Sequence, residues 1–165
     1  MQAFYPWIVL LHIVGAFIFV ASHGVAIWMS LQISRERDRN RIAALLDLSS
    51  ASIGGLYIGL LLLLIGGIWA GLLADWFKFG WIWLALGLLV AITVLMYLIA
   101  TPFFSKLRAA LGQRTMQTKK TDPDPVPLSD EEIQAIVERT PVASLSAIGV
   151  GGLVIIVWLM VVKPF

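Results

Sequence analysis

The sequence predicts an all-α, polytopic transmembrane four-helix bundle with up-down topology and both termini outside (N-out/C-out). Three observations predict it. Of 165 residues, 59% are hydrophobic and 13% charged, and the mean hydropathy is +0.90; soluble domains average about 45–50% apolar and about 25% charged. Four stretches, residues 7–31, 50–74, 79–101 and 142–162, contain no Asp, Glu, Lys or Arg, and each reaches the roughly 20 residues that a helix needs to cross the hydrocarbon core. Ten of the twelve Lys and Arg fall in two of the three connections.

Within lipid every backbone polar group must find a partner inside the chain, which a helix provides. The four stretches are continuously apolar and lack the period-two alternation of membrane strands. The first begins after Met1-Gln2-Ala3-Phe4-Tyr5-Pro6, which carries no basic residue. Its apolar run exceeds the roughly 7–15 residues of a signal-peptide core, so it reads as a retained span. The connection after it contains Arg35, Arg37, Arg39 and Arg41, and the long connection after the third span contains Lys106, Arg108, Arg114, Lys119, Lys120 and Arg139. Lys78 stands alone in the short second connection, and Lys163 follows the last span. The positive-inside rule places the two basic connections in the cytoplasm.

In the first connection Ile42, Leu45 and Leu46 share one helical face, which predicts an extension of the first or second helix along the interface. The second basic connection, residues 105–141, opens into alternating prolines over Pro123, Pro125 and Pro127, a pattern that favours extended polyproline II over helix. Ser129-Asp130-Glu131-Glu132 is a capping box and predicts a short helix over residues 130–139, free to lie on the membrane or to dock on a partner. Trp7, Trp69, Trp76, Trp81, Trp83 and Trp158 cluster near the predicted outer ends, with Trp28 near the inner one. Indole rings favour the membrane interface, so these form an anchoring belt or an aromatic floor for a lipid-like ligand such as a quinone. Gly55 with Gly59 and Gly67 with Gly71 have small-xxx-small spacing, suited to close helix approach within one chain or across a homodimer seam.

Composition narrows the chemistry. The absence of cysteine removes disulfides, thiolate metal sites and cysteine nucleophiles. The basic residues form no face for nucleic acid. The spans hold no carboxylate, which argues against proton-driven transport, ion pumping and serine-hydrolase chemistry, and ranks a small-solute permease last. No G-x-x-x-x-G-K-[ST] loop occurs.

Two ionisable groups stand out, His12 and His23, both in the first span. At 100° per residue, eleven residues return the chain to within about 20° of the same face, with an axial rise of about 16.5 Å. His12, Ala16, Phe19 and His23 therefore make one stripe. A neutral imidazole is the usual protein ligand of haem iron, so His12 and His23 are candidate ligands of haem b in a redox-associated protein. With two histidines in the chain, bis-histidine ligation needs a symmetric homodimer or a membrane partner subunit; Met or Tyr are the alternative second ligands. The competing reading is a membrane subunit without cofactor, each imidazole bonding a serine or backbone carbonyl across the bundle.

The start Leu11-His12-Ile13-Val14-Gly15-Ala16 resembles the L-H-x-x-G-A opening of a group of small bacterial four-helix membrane proteins. That group includes the copper-resistance membrane proteins and the four-helix haem-associated protoporphyrinogen oxidases. His23-Gly24, Arg35-Glu36-Arg37-Asp38, Leu45-Leu46-Asp47-Leu48-Ser49 and Gly66-Gly67-Ile68-Trp69-Ala70-Gly71 more closely resemble a predicted integral membrane family of unknown function within the group. The resemblance implies the bacterial cytoplasmic (inner) membrane. It also implies that His12 matches the haem-linked histidine of the oxidases. The later-helix lysine of those oxidases has no counterpart in the third span, and Met29, Met96 and Met160 form no Met-x-x-Met cluster for copper.

Overall fold

A computed structural model describes residues 4–115, 118, 121, 123 and 125–165. Its α-helices are α1 (Tyr5–Ile33), α2 (Arg39–Leu73), α3 (Gly80–Ala110), α4 (Asp130–Val137), α5 (Val142–Ser146) and α6 (Gly152–Val162). A 3-10 turn, Trp76–Lys78, joins α2 to α3, and a π-helical turn, Ala147–Gly151, fuses α5 and α6 into a single fourth span. The described residues contain no strand. Four helical stretches are long and apolar enough to cross a membrane, and the chain is an all-α four-helix membrane bundle.

The α1–α2 pair is the most extensive contact, and α3 packs chiefly on α6. Small residues explain the first pairing. A Cβ built at Gly15 would enter the backbone of Leu63, one at Gly59 the backbone of Phe19, and one at Gly66 would stand 2.7 Å from the His12 amide nitrogen. One at Gly55 would stand 2.5 Å from Ser22 Oγ. In lipid, where apolar surface gains little by leaving its solvent, such backbone proximity is what holds two helices together. The Gly55/Gly59 pair thus serves α1 within the chain.

At the arginine-rich end three helices outrun their apolar stretches. The predicted interfacial extension stands upright instead: α2 begins at Arg39, capped by Asp38, whose carboxylate accepts the Arg41 N–H at 2.9 Å. α3 continues through Pro102 to Ala110. Proline inside a membrane helix is tolerated where surrounding structure re-satisfies the freed carbonyl. Gly112, with φ of 78°, closes α3, and the Gln113 N–H reaches back to the Arg108 carbonyl at 2.9 Å, an ending that favours glycine at the left-handed position.

These projecting turns explain where α4 goes. Its capping box forms as the sequence predicts, and the helix spans Asp130–Val137, slightly shorter than 130–139. Its apolar stripe packs within the chain. Ile133 and Val137 are buried with Ile33, Ile42, Leu46, Leu107 and Ala110 in one apolar cluster, so α4 plugs the end of α1, α2 and α3. An eight-residue helix is too short to persist alone; its burial supplies the stability. Polar ties fix its placement: Gln134 Nε2 donates to the carbonyls of Arg37 at 3.1 Å and Glu36 at 3.3 Å, and Arg39 reaches the Leu128 carbonyl and Asp130. The Glu36 carboxylate accepts the Arg37 and Asp38 amides, which hold it below the usual carboxylate range. The polyproline expectation at Lys119, Lys120, Asp122 and Asp124 lies outside the described residues. Pro123, Pro125, Val126 and Pro127 are in neither helix nor strand.

At the tryptophan-rich end the belt divides. Trp7, Trp69, Trp83 and Trp158 are exposed on the outer surface, as an anchoring belt requires. Trp81 is instead 1% exposed, packed with Ile82, Ala85 and Leu159. Trp76 tilts against Trp81 and Tyr5 meets Trp76 edge-on. The Lys163 ammonium lies 4.2 Å from the Trp76 ring centre, within cation–π range.

Candidate functional site

The two histidines sit about three turns apart on α1, and each points its ring at a glycine of a different neighbour. His12 is half-buried against α2. Its Nδ1 lies 2.8 Å from the Leu63 carbonyl oxygen. A carbonyl can only accept, so Nδ1 carries the proton and Nε2 holds the free lone pair. Gly66 and Gly67 make this bond reachable. A Cβ at Gly67 would stand 2.8 Å from His12 Nδ1, so any larger residue there would push the imidazole off its carbonyl.

His23 is 6% exposed and faces the fourth span. Its ring lies parallel to that of Phe19, with centroids 6.1 Å apart, which realises part of the predicted stripe. Its Nε2 is buried without a hydrogen-bond partner, and a Cβ at Gly149 would collide with that nitrogen. Gly149 belongs to the π turn. Turns of this kind hold one residue more than α-helix, widen the backbone locally and recur at functional sites. His23 therefore ties the α1–α2 pair to the fourth span through a notch rather than through a serine or carbonyl bond.

The fit of haem to these groups differs between the two. His12 presents the ligand form of imidazole, with Nδ1–H held by a carbonyl and Nε2 available, the arrangement that orients and strengthens histidine ligands. His23 does not fit as packed, because the direction of its Nε2 is filled by the Gly149 backbone. Two cavities, of about 160 and 180 Å³, lie at the helix ends, lined by residues such as Gly71 and Asp75 or Lys106 and Arg139, and neither is lined by a histidine. Among the described residues no three His, Asp or Glu converge as a metal site.

Sequence reasoning located both imidazoles but not their glycine notches. Gly67, spaced with Gly71, is legible in the sequence as a packing signal but without an assigned partner. The His23 notch carries its own test. Gly149→Ala should lower the melting temperature in detergent by several degrees, since one methyl meets a buried ring. Adding His23→Ala should recover much of that loss, the non-additivity expected of residues in contact. Strictly additive losses would show that the ring and the π turn do not oppose each other.

Residues 6–164 match the model of a family described as predicted integral membrane protein (DUF2269). The resemblance to an integral membrane family of unknown function is thereby borne out, while the further link to copper-resistance proteins and oxidases rests on the opening motif alone. No curated protein and no solved structure matches the chain.

Proposed function

The chain belongs to the DUF2269 family of predicted integral membrane proteins, and on that premise we propose that it is a haem-associated protein of the bacterial cytoplasmic membrane, with His12 as the residue that would hold the group. The observation that carries this reading is the His12–Leu63 hydrogen bond. It fixes the tautomer whose Nε2 can bind iron, at a half-buried position in an otherwise uncharged helix. Haem bound there would supply a one-electron couple. The protein's own part is to hold the imidazole plane through Leu63 and Gly67. His23 serves packing in this reading.

Absorption spectroscopy tests it. Protein purified in mild detergent, as isolated or after titration with haemin, should show a Soret band that shifts on reduction. His12→Ala should abolish it, Gly67→Leu should weaken it, and His23→Ala should preserve it. A colourless protein that takes up no haemin, or a His12→Ala variant with an unaltered spectrum, overturns the proposal.

One observation favours a second reading, a membrane subunit without cofactor. Both imidazoles meet glycines on neighbouring helices, which suffices to explain them as interhelical ties. Stability losses from both alanine variants with no spectroscopic consequence would support it.

A further inference from the structure

We propose that the cavity between α3 and α4 binds the phosphate of an anionic phospholipid through Lys106 and Arg139. The cavity measures about 180 Å³ and is lined by Phe103, Lys106, Ala135, Ile136 and Arg139.

Its position matches the surface of a bilayer. Lys106 follows the last residue of the third apolar stretch, Thr101, by five residues, or about 7.5 Å along the helix. Arg139 precedes Val142, the first residue of α5, by three. The two cations thus arrive at one membrane boundary from a span that leaves the bilayer and a span that re-enters it. That is the boundary the positive-inside rule assigns to the cytoplasm, where anionic lipids concentrate.

The charge is also available. Arg39 pairs with Asp130 at 3.5 Å, Arg41 with Glu36 at 3.1 Å and Arg108 with Asp47 at 2.8 Å. Lys106 and Arg139 have no acidic partner among the described residues, and both are exposed. Two cations without an acidic partner among the described residues, Lys106 on α3 and Arg139 in the turn that follows α4, form a clamp for a phosphate, which accepts charge-assisted hydrogen bonds from both. Phe103 and Ile136 supply an apolar wall between the cations, suited to glycerol and acyl carbons. A free phosphate ion has no use for that wall, which is why the lipid is the favoured occupant. The cavity exists only because α4 is docked on the bundle, so the bound lipid would bridge α3 and α4. This proposal is independent of any cofactor at His12.

Native mass spectrometry of the full chain, titrated with phosphatidylglycerol or phosphatidylcholine at equal ratios, tests it. One phosphatidylglycerol adduct should form in preference to phosphatidylcholine. Lys106→Gln and Arg139→Gln should each weaken that preference about fivefold, and the double variant should abolish it. A double variant Arg35→Gln/Arg37→Gln removes equal charge from the same end and should retain it. Melting temperatures in phosphatidylcholine should be unchanged for both pairs, since all four side chains are solvent-facing. Equal binding of the two lipids overturns the proposal, as does retention of the preference without Lys106 and Arg139. Equal loss in the control pair would show a diffuse surface charge instead, and displacement by millimolar inorganic phosphate would show a soluble-anion site; either outcome also overturns it.

Discussion

Gly59→Leu should dismantle the α1–α2 pair, whereas Gly54→Leu, on the same helix, should be nearly silent. The two substitutions share chemistry and helix, five residues apart. They differ in what a side chain meets: nothing within 4 Å at Gly54, and the Phe19 backbone at Gly59. Overpacking a tight interior costs about 1–3 kcal/mol where side chains can yield. Here the obstacle is main chain, so the helices themselves must separate, and the cost should reach or exceed the top of that range. For a protein of this size about 3 kcal/mol corresponds to a fall in melting temperature of about 6–12 °C. Thermal denaturation in detergent checks the pair. Equal melting temperatures for the two variants would mean that the glycine seam is not what joins α1 to α2.

Ile133→Lys should release α4 while leaving the four spans inserted. Ile133 is 1% exposed, enclosed by Ile33, Ile42, Leu46 and Leu107. Its loss forfeits about 1.5–3 kcal/mol of apolar burial, and an unpaired ammonium in that cluster adds several kcal/mol more. No eight-residue helix can absorb this, because its intrinsic stability is negligible. Hydrogen exchange at the amides of residues 133–137 should accelerate by at least about tenfold, the equivalent of 1.4 kcal/mol, while amides in the middle of α1 and α2 stay protected. Unchanged exchange over α4 would show that the helix is held by something other than this cluster.

The spans were legible in the sequence because the bilayer imposes a single requirement, a long uncharged run. The α4 capping box was legible because its hydrogen bonds join residues three apart. What could not be read is which side of each helix faces which neighbour. In water, the apolar side of a helix is the inner side; in lipid both sides are apolar. Phe17 is 73% exposed and Phe19 6%, yet the two are the same residue type, two positions apart. Trp81, 1% exposed, and Trp83, 59% exposed, repeat the lesson at the other end. The same ambiguity hid the destinations of His12 and His23. Their common stripe followed from helical geometry, but nothing local says that one ring turns to Leu63 and the other to Gly149. The docking of α4 was hidden for a related reason: an apolar stripe of Ile133, Ile136 and Val137 suits a membrane surface, a partner or the chain's own projecting helices equally well.

The widened turn at Ala147–Gly151 sets the phase of the last span. One surplus residue rotates everything after it by about 100°, so Trp158 and Leu159 occupy sides that a uniform helix would have assigned to their neighbours. Excision of a single residue from that turn would restore regular winding, swing the tail of the span away from Trp81 and close the recess that accommodates His23. The phase of the terminal helix and the accommodation of that ring are thus set by the same one-residue insertion.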